Sequence, residues 1–84
     1  MVQDKTSLFE LDELNDGLIE KTLDDVFEAL KERGYNPINQ IVGYLISGDP
    51  GYISSYKDAR NKIQEIDRAR IVEFLLVKNY KDRK

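Results

Sequence analysis

A segment in the middle of the chain constrains the fold most, because it carries both a start and a stop signal for a helix. Gly34 suits the left-handed conformation that closes a preceding helix. Asn36 is a favourable N-cap, and Pro37 fits the first helical position, where no N–H is needed. Gly48 is typical of a helix end, and Pro50 prevents the helix from continuing. The sequence therefore predicts one helix between these signals.

The apolar residues of this central helix recur at i, i+3, i+4, i+7 and i+8. They are Ile38, Ile41, Val42, Leu45 and Ile46. This spacing predicts an amphipathic helix whose apolar stripe is buried. No Lys or Arg occurs from residue 34 to residue 56, so we expect the helix to face protein and not phosphate groups.

Three small residues follow a second line along the same helix: Asn39, Gly43 and Ser47 recur at i, i+4 and i+8. Gly inside a helix costs about 1 kcal/mol relative to Ala, so its presence calls for a reason. A groove of small side chains lets another helix approach closely. The sequence leaves two interpretations open, a contact within the chain and a contact between two copies of it.

The N-terminal part of the chain divides into a tail and a helix. Residues 1–15 are acidic and lack a clean periodicity, which predicts a flexible tail. From about Leu18 to Arg33 the apolar residues return to helical spacing and predict the first helix. We therefore expect two parts, the acidic tail and a single helical domain over residues 16–84.

The C-terminal part predicts two helices, one from near Lys57 and one from Arg68 to about Tyr80. Asp67 has the side chain of an N-cap for the second of them. One continuous helix over residues 58–80 is the alternative.

The fourth helix is apolar on almost every side. Its apolar residues are Ile71, Val72, Phe74, Leu75, Leu76 and Val77. A helix of this kind is buried on more than one face, which in so small a chain favours a dimer. Phe74 therefore joins Asn39, Gly43 and Ser47 as a candidate residue of a dimer or helix-packing groove.

Composition limits the chemistry of the chain. Its 84 residues are 40% hydrophobic and 35% charged, the balance of one small globular domain. Cys and His are absent, which removes disulfides, thiolate chemistry and the usual zinc sites. No nucleophile–base set or Gly-rich phosphate loop is present. We therefore predict a small all-α bundle of about four short helices that is not an enzyme and holds no metal or cofactor.

The location follows from two further features of the sequence. The N-terminus is charged and lacks the apolar region of a signal peptide. No apolar run approaches the roughly 20 residues that a membrane helix needs. We predict a cytoplasmic protein that does not enter the membrane.

Charge is distributed unevenly along the chain. Residues 1–33 hold 4 basic and 10 acidic residues, a balance of −6, and residues 57–84 hold 9 basic and 5 acidic residues, a balance of +4. The two ends could attract each other, or each could face a partner of opposite sign. The candidate surface for a partner or a phosphate group consists of Lys57, Arg60, Arg68 and Arg70.

The central segment also resembles a known family. Residues 34–44 read GYNPINQIVGY and residues 47–50 read SGDP, and the resemblance continues through residues 59–61 (ARN) and 67–68 (DR). This pattern is similar to that of the IreB-like regulatory phosphoproteins of Gram-positive bacteria. The resemblance covers nearly the whole chain.

The resemblance implies a small all-helical homodimer with a flexible tail. It also implies that a membrane Ser/Thr kinase with PASTA repeats phosphorylates this tail. Thr6, in the sequence DKTSLF, matches the family's tail threonine, and Ser7 is a weaker candidate. Gln3 stands where some members have a second threonine. The implied role is control of cell-wall synthesis and β-lactam tolerance through a regulatory or protease-adaptor contact. In some members this contact promotes Clp-dependent degradation of the enolpyruvyl transferase that begins peptidoglycan synthesis, and phosphorylation relieves it.

Two mechanisms are open for a phosphate on Thr6. It would add about −1.5 to −2 charge to the tail. That charge could pair with Arg60, Arg68 or Arg70 and mask a partner surface. It could equally repel an acidic partner directly.

The alternative function from another class is a small DNA-binding regulator. Short helices joined by a Gly-containing turn are compatible with helix-turn-helix geometry. However, the central helix has no basic residue and the net charge is −3. A duplex binder needs cations to neutralise phosphates, so the composition disfavours nucleic acid as a partner.

Overall fold

The computed structural model describes the backbone of residues 5–81 and the side chains of residues 16–81. Within that part the chain is all-α, as predicted, and contains no strand. The four α-helices are α1 (Lys5–Glu32), α2 (Pro37–Ser47), α3 (Ala59–Gln64) and α4 (Arg68–Tyr80). Two short 3₁₀ turns, Pro50–Tyr52 and Tyr56–Asp58, connect α2 to α3.

The ends of α2 are those that the sequence predicts. The side chain of Asn36 accepts a hydrogen bond from the backbone N–H of Asn39 at 3.1 Å. Gly48 closes the helix with a φ of 79°, and its N–H donates to the carbonyl of Tyr44 at 2.7 Å. Gly34, after α1, also has a positive φ of 85°. Only glycine adopts these backbone angles at little cost.

Two helices, and not one, occupy the C-terminal part. A turn and a bend separate Gln64 from Arg68. The carboxylate of Asp67 accepts a hydrogen bond from the backbone N–H of Ala69 at 3.0 Å and so caps the start of α4. The predicted break and the predicted N-cap are both confirmed.

The start of α1 corrects the prediction. The sequence places it near Leu18, whereas α1 begins at Lys5. One Gly17 inside the helix costs about 1 kcal/mol, which does not end a helix flanked by good helix formers such as Leu and Glu. The side chains of residues 1–15 lie outside the described part, and the flexibility of this segment stays a prediction.

The hydrophobic core lies between α1 and the shorter helices that pack against it. α1 supplies four of its residues, and the connection after α2 supplies Ile53. The buried members are Ile19, Val26, Ala29, Leu30, Ile41, Tyr44, Ile53, Ala59, Ile63, Ile71 and Phe74. Burial of these side chains supplies the main driving force for folding.

The acidic α1 and the basic C-terminal half pair with each other, which is one of the two possibilities that the charge distribution allows. Lys62 contacts Asp25 and Lys78 contacts Glu20, each at 3.3 Å. Lys62 is the main cause that holds the pKa of the Asp25 carboxyl below its ordinary value. Because these side chains are partly exposed to solvent, such pairs orient α1 more than they stabilise it.

The buried stripe that the sequence predicts for α2 is only partly buried. Ile41 lies in the core and Leu45 is half-buried, but Tyr44, on another side, is the second core residue of α2. The other three members of the stripe are exposed: Ile38, Val42 and Ile46. A periodic pattern identifies which side of a helix is apolar, but it does not show what covers that side.

Candidate functional site

Two of the four predicted basic residues form ion pairs with α1. The ammonium of Lys57 lies 3.1 Å from a carboxylate oxygen of Glu32, at the end of α1. The guanidinium of Arg70 contacts Asp16 at 3.4 Å and Glu73, one turn along α4, at 2.8 Å. These cations help to hold the C-terminal half against α1.

The other two predicted basic residues donate to backbone carbonyls. Arg60 Nε donates to the carbonyl of Ile53 at 2.8 Å. Arg68 donates to the carbonyl of Leu45 at 3.0 Å, in the last turn of α2. A cation is favourable there because the carbonyl end of a helix carries partial negative charge. The guanidinium of Arg68 also packs so closely on Gly48 that a Cβ there would lie 2.8 Å from it.

The four basic residues therefore do not gather into one cradle for a phosphate group. Each has a partner within the chain, on α1, in the connection after α2, or at the end of α2. The sequence could not show this, because the contacts with Glu32, Asp16 and Leu45 join residues at least 23 positions apart.

A polar cluster around the turn before α3 joins Lys57 to two residues that the sequence does not mark, Glu32 and Tyr56. Glu32 accepts hydrogen bonds from the Tyr56 hydroxyl at 3.0 Å and from the Lys57 ammonium at 3.3 Å. Lys57, and then Tyr56, hold the pKa of the Glu32 carboxyl below its ordinary value, and Glu32 raises the pKa of Lys57. Lys57 and Asp58 both have positive φ angles, 53° and 63°. Glu32 thus anchors a turn with an unfavourable backbone conformation.

Two of the small residues on α2, Gly43 and Ser47, make contacts within the chain. The ring of Tyr52 lies over Gly43, where a Cβ would come within 2.5 Å of it. The Ser47 hydroxyl donates to the carbonyl of Gly43 at 2.7 Å and accepts from the N–H of Asp49 at 3.0 Å. Of the two interpretations of Gly43, the structure shows the contact within the chain.

The remaining two groove candidates differ in exposure. Phe74 is part of the core, so it serves helix packing within the chain. Asn39 is exposed. Asn39, Gly43 and Ser47 therefore follow one line along α2, whereas Phe74 belongs to the core.

A different surface is apolar and exposed, and we call it the outer face. At its centre are Ile38 and Val42 of α2 and Leu75 of α4, which line one groove. We include the exposed apolar residues next to them on the same two helices, Ile46, Val72 and Leu76. Val42 is 46% exposed, Ile46 79% and Leu76 54%. Exposed apolar residues in such a group indicate an interaction site more often than scattered ones do.

A groove of about 300 Å³ runs through this region between α1, α2 and α4. Leu23 and Phe27 of α1 line one side, Ile41 and Leu45 of α2 line another, and Leu75 of α4 completes it. The only charged residue among the described lining residues is Asp24. The site is therefore suited to apolar side chains.

The predicted phosphorylation site belongs to a different end of the molecule. Thr6 and Ser7 occur in the first turns of α1. Their side chains lie outside the described part of the chain, so their roles stay predictions.

The comparison with known families bears on the regulatory role. A model of the IreB regulatory phosphoprotein family matches residues 4–82. This chain belongs to that family. The match confirms the resemblance seen in the sequence and supports a regulatory role.

Two further observations concern the part of the chain that the structure describes. No helix in it combines the length and the apolar character needed to cross a membrane. Its Asp and Glu residues form no group of three or more that could hold a metal ion.

Proposed function

We propose that this chain is a non-enzymatic regulator that a PASTA-type Ser/Thr kinase controls by phosphorylating Thr6. The observation that carries the proposal is the family match, which spans residues 4–82 and so includes Thr6. Thr6 also occupies the position of the tail threonine that the resemblance implies. Ser7 is the weaker alternative acceptor.

The proposed target of this regulator is cell-wall synthesis. The resemblance to the family supports a role in β-lactam tolerance, exerted by steering Clp-dependent degradation of the enolpyruvyl transferase of peptidoglycan synthesis. Unmodified protein would promote the degradation, and phosphorylation would relieve it.

The proposed assembly is a homodimer formed through the outer face. Exposed side chains such as Val42 and Leu75 lie beside a groove lined mostly by apolar residues. A chain of 84 residues buries a limited core by itself. Pairing the outer faces of two copies would remove this apolar surface from water.

The experiment that tests the kinase proposal compares three proteins, the unaltered chain, Thr6→Ala and Ser7→Ala, as substrates of the kinase domain. We expect one phosphate, assigned to Thr6 by phosphopeptide mass spectrometry, on the unaltered chain and on Ser7→Ala. Thr6→Ala should lose it. Equal phosphorylation of Thr6→Ala would show that Thr6 is not the acceptor.

A second arm tests the regulatory consequence in cells that carry the Clp pathway. Thr6→Ala lacks the proposed acceptor, so it should lower the steady level of the enolpyruvyl transferase and β-lactam tolerance. Ser7→Ala serves as the matched control. Unchanged transferase levels with Thr6→Ala would contradict the proposed target.

A further inference from the structure

The N-terminal turns of α1 extend beyond the residue with which Arg70 pairs. Arg70 pairs with Asp16 of α1 at 3.4 Å. Thr6 precedes Asp16 by ten residues of the same helix. At 1.5 Å of rise per residue, the two positions are about 15 Å apart along the helix axis. While α1 stays helical, position 6 therefore lies about 15 Å along the helix from the residue that holds Arg70, well beyond the roughly 4 Å of an ion pair.

The opposite end of α1 is farther still. Lys57 pairs with Glu32, which follows Thr6 by 26 residues, or about 39 Å of helix. Arg60 and Arg68 hydrogen-bond to carbonyls in the connection after α2 and at the end of α2. A phosphate that docked on either side chain would compete with these contacts.

Long-range attraction does not replace direct contact. The Debye length at physiological ionic strength is about 8 Å. A separation of about 15 Å is nearly twice that length, so most of the attraction between exposed charges is screened. Of the two mechanisms open for the phosphate, docking on the four predicted basic residues thus has no geometric support.

We propose that a phosphate on Thr6 acts locally, on the first turn of α1, and not by docking on Lys57, Arg60, Arg68 or Arg70. This inference rests on the proposed function, in which Thr6 carries the phosphate. Thr6 is the second residue of α1, and negative charge is favourable at this end of a helix. Phosphorylation then makes the helical state of the first turns more persistent and adds charge to an acidic segment that a partner meets.

The test uses the full chain with phosphothreonine placed at position 6 by ligation of a synthetic N-terminal peptide, so no kinase is needed. Backbone amide NMR spectra and hydrogen exchange are compared with those of the unmodified chain. We expect shifted signals confined to the first turns of α1 and exchange there slowed about two- to fivefold. The signals of Arg60, Arg68 and Arg70 should stay in place.

Three matched variants, Arg60→Gln, Arg68→Gln and Arg70→Gln, sharpen the test in the phosphorylated chain. Each keeps a long polar side chain and removes the charge, and its amide spectrum reports whether it remains folded. The phosphate-induced changes should be the same in all three. These variants address docking on the same chain and docking on a second copy alike.

Two results would overturn the inference. One is a phosphate-induced shift at the arginines, or a shift pattern that an Arg→Gln change removes, since either shows docking. The other is unchanged exchange in the first turns of α1. A kinase that leaves Thr6 unmodified would instead count against the proposed function, because the ligated protein carries its phosphate regardless.

Discussion

The α2 and α4 helices each have two apolar sides with different surroundings. On the inner side, α2 contributes Ile41 and Tyr44 to the core, and α4 contributes Ile71 and Phe74. Their outer sides form the outer face, where side chains such as Val42 remain exposed. Both sides have similar composition, so hydrophobicity alone does not separate them.

The difference shows how a small chain can serve folding and association with the same two helices. The inner sides lose contact with water when one chain folds. The outer sides can do so only against something else, and we propose that this is a second copy. The fold and the assembly should therefore respond to different substitutions.

The largest expected effect comes from truncating an inner residue. Ile71→Ala should lower the free energy of unfolding by about 2–5 kcal/mol, because Ile71 is fully buried and the change leaves a cavity. The matched change Leu76→Ala, on the outer side of the same helix, should cost less than about 0.5 kcal/mol. Urea unfolding at low protein concentration, where single chains prevail, measures both. If both changes lowered the free energy of unfolding equally, the inner and outer sides of α4 would not differ in their contribution to folding.

The next effect concerns the outer face. Val42→Glu should weaken self-association about a hundredfold or more, because an unpaired charge would be buried between two copies. The control is Asn39→Glu, an exposed position on the same helix that is not part of the outer face. Sedimentation over a range of concentrations measures the dimer fraction. If Asn39→Glu disrupted the dimer and Val42→Glu did not, the interface would lie along the line of small residues.

The smallest effect tests the third side of α2, where Tyr52 covers Gly43. Gly43→Ala should destabilise the chain by about 1 kcal/mol, because crowding against the ring costs about 1–3 kcal/mol. The higher helix propensity of Ala stabilises α2 by only about 1 kcal/mol, which does not offset the crowding in full. In a Tyr52→Ala background the same change should stabilise the chain by up to about 1 kcal/mol. Urea unfolding of the four proteins measures this double-mutant cycle, and an unchanged sign would show that the ring does not decide the cost.

Much of the fold could be predicted because its signals are local. Asn36 and Gly48 mark the ends of α2, and Asp67 marks the start of α4, through hydrogen bonds to residues four or fewer positions away. The start of α1 could not be predicted in this way, because Gly17 resembles a helix boundary but lies inside the helix.

The candidate sites were less accessible to prediction. The sequence marks Gly43 as unusual but does not indicate its partner, Tyr52, whose ring reaches it from the 3₁₀ turn after α2. The basic residues were named from their charge, yet the contacts of Arg60 and Arg68 are with backbone carbonyls. Every residue has a backbone carbonyl, so the sequence does not identify the one to which a guanidinium donates.

The sequence by itself determined the helical class, the caps of α2 and α4, the absence of Cys and His chemistry, and the family. These follow from backbone preferences, from composition and from the order of residues along the chain. Only the tertiary structure decided which apolar side of α2 enters the core, which carboxylates pair with Lys57 and Arg70, and how far Thr6 lies from them. Those outcomes depend on which helices pack against each other, and this packing involves residues that are far apart along the chain.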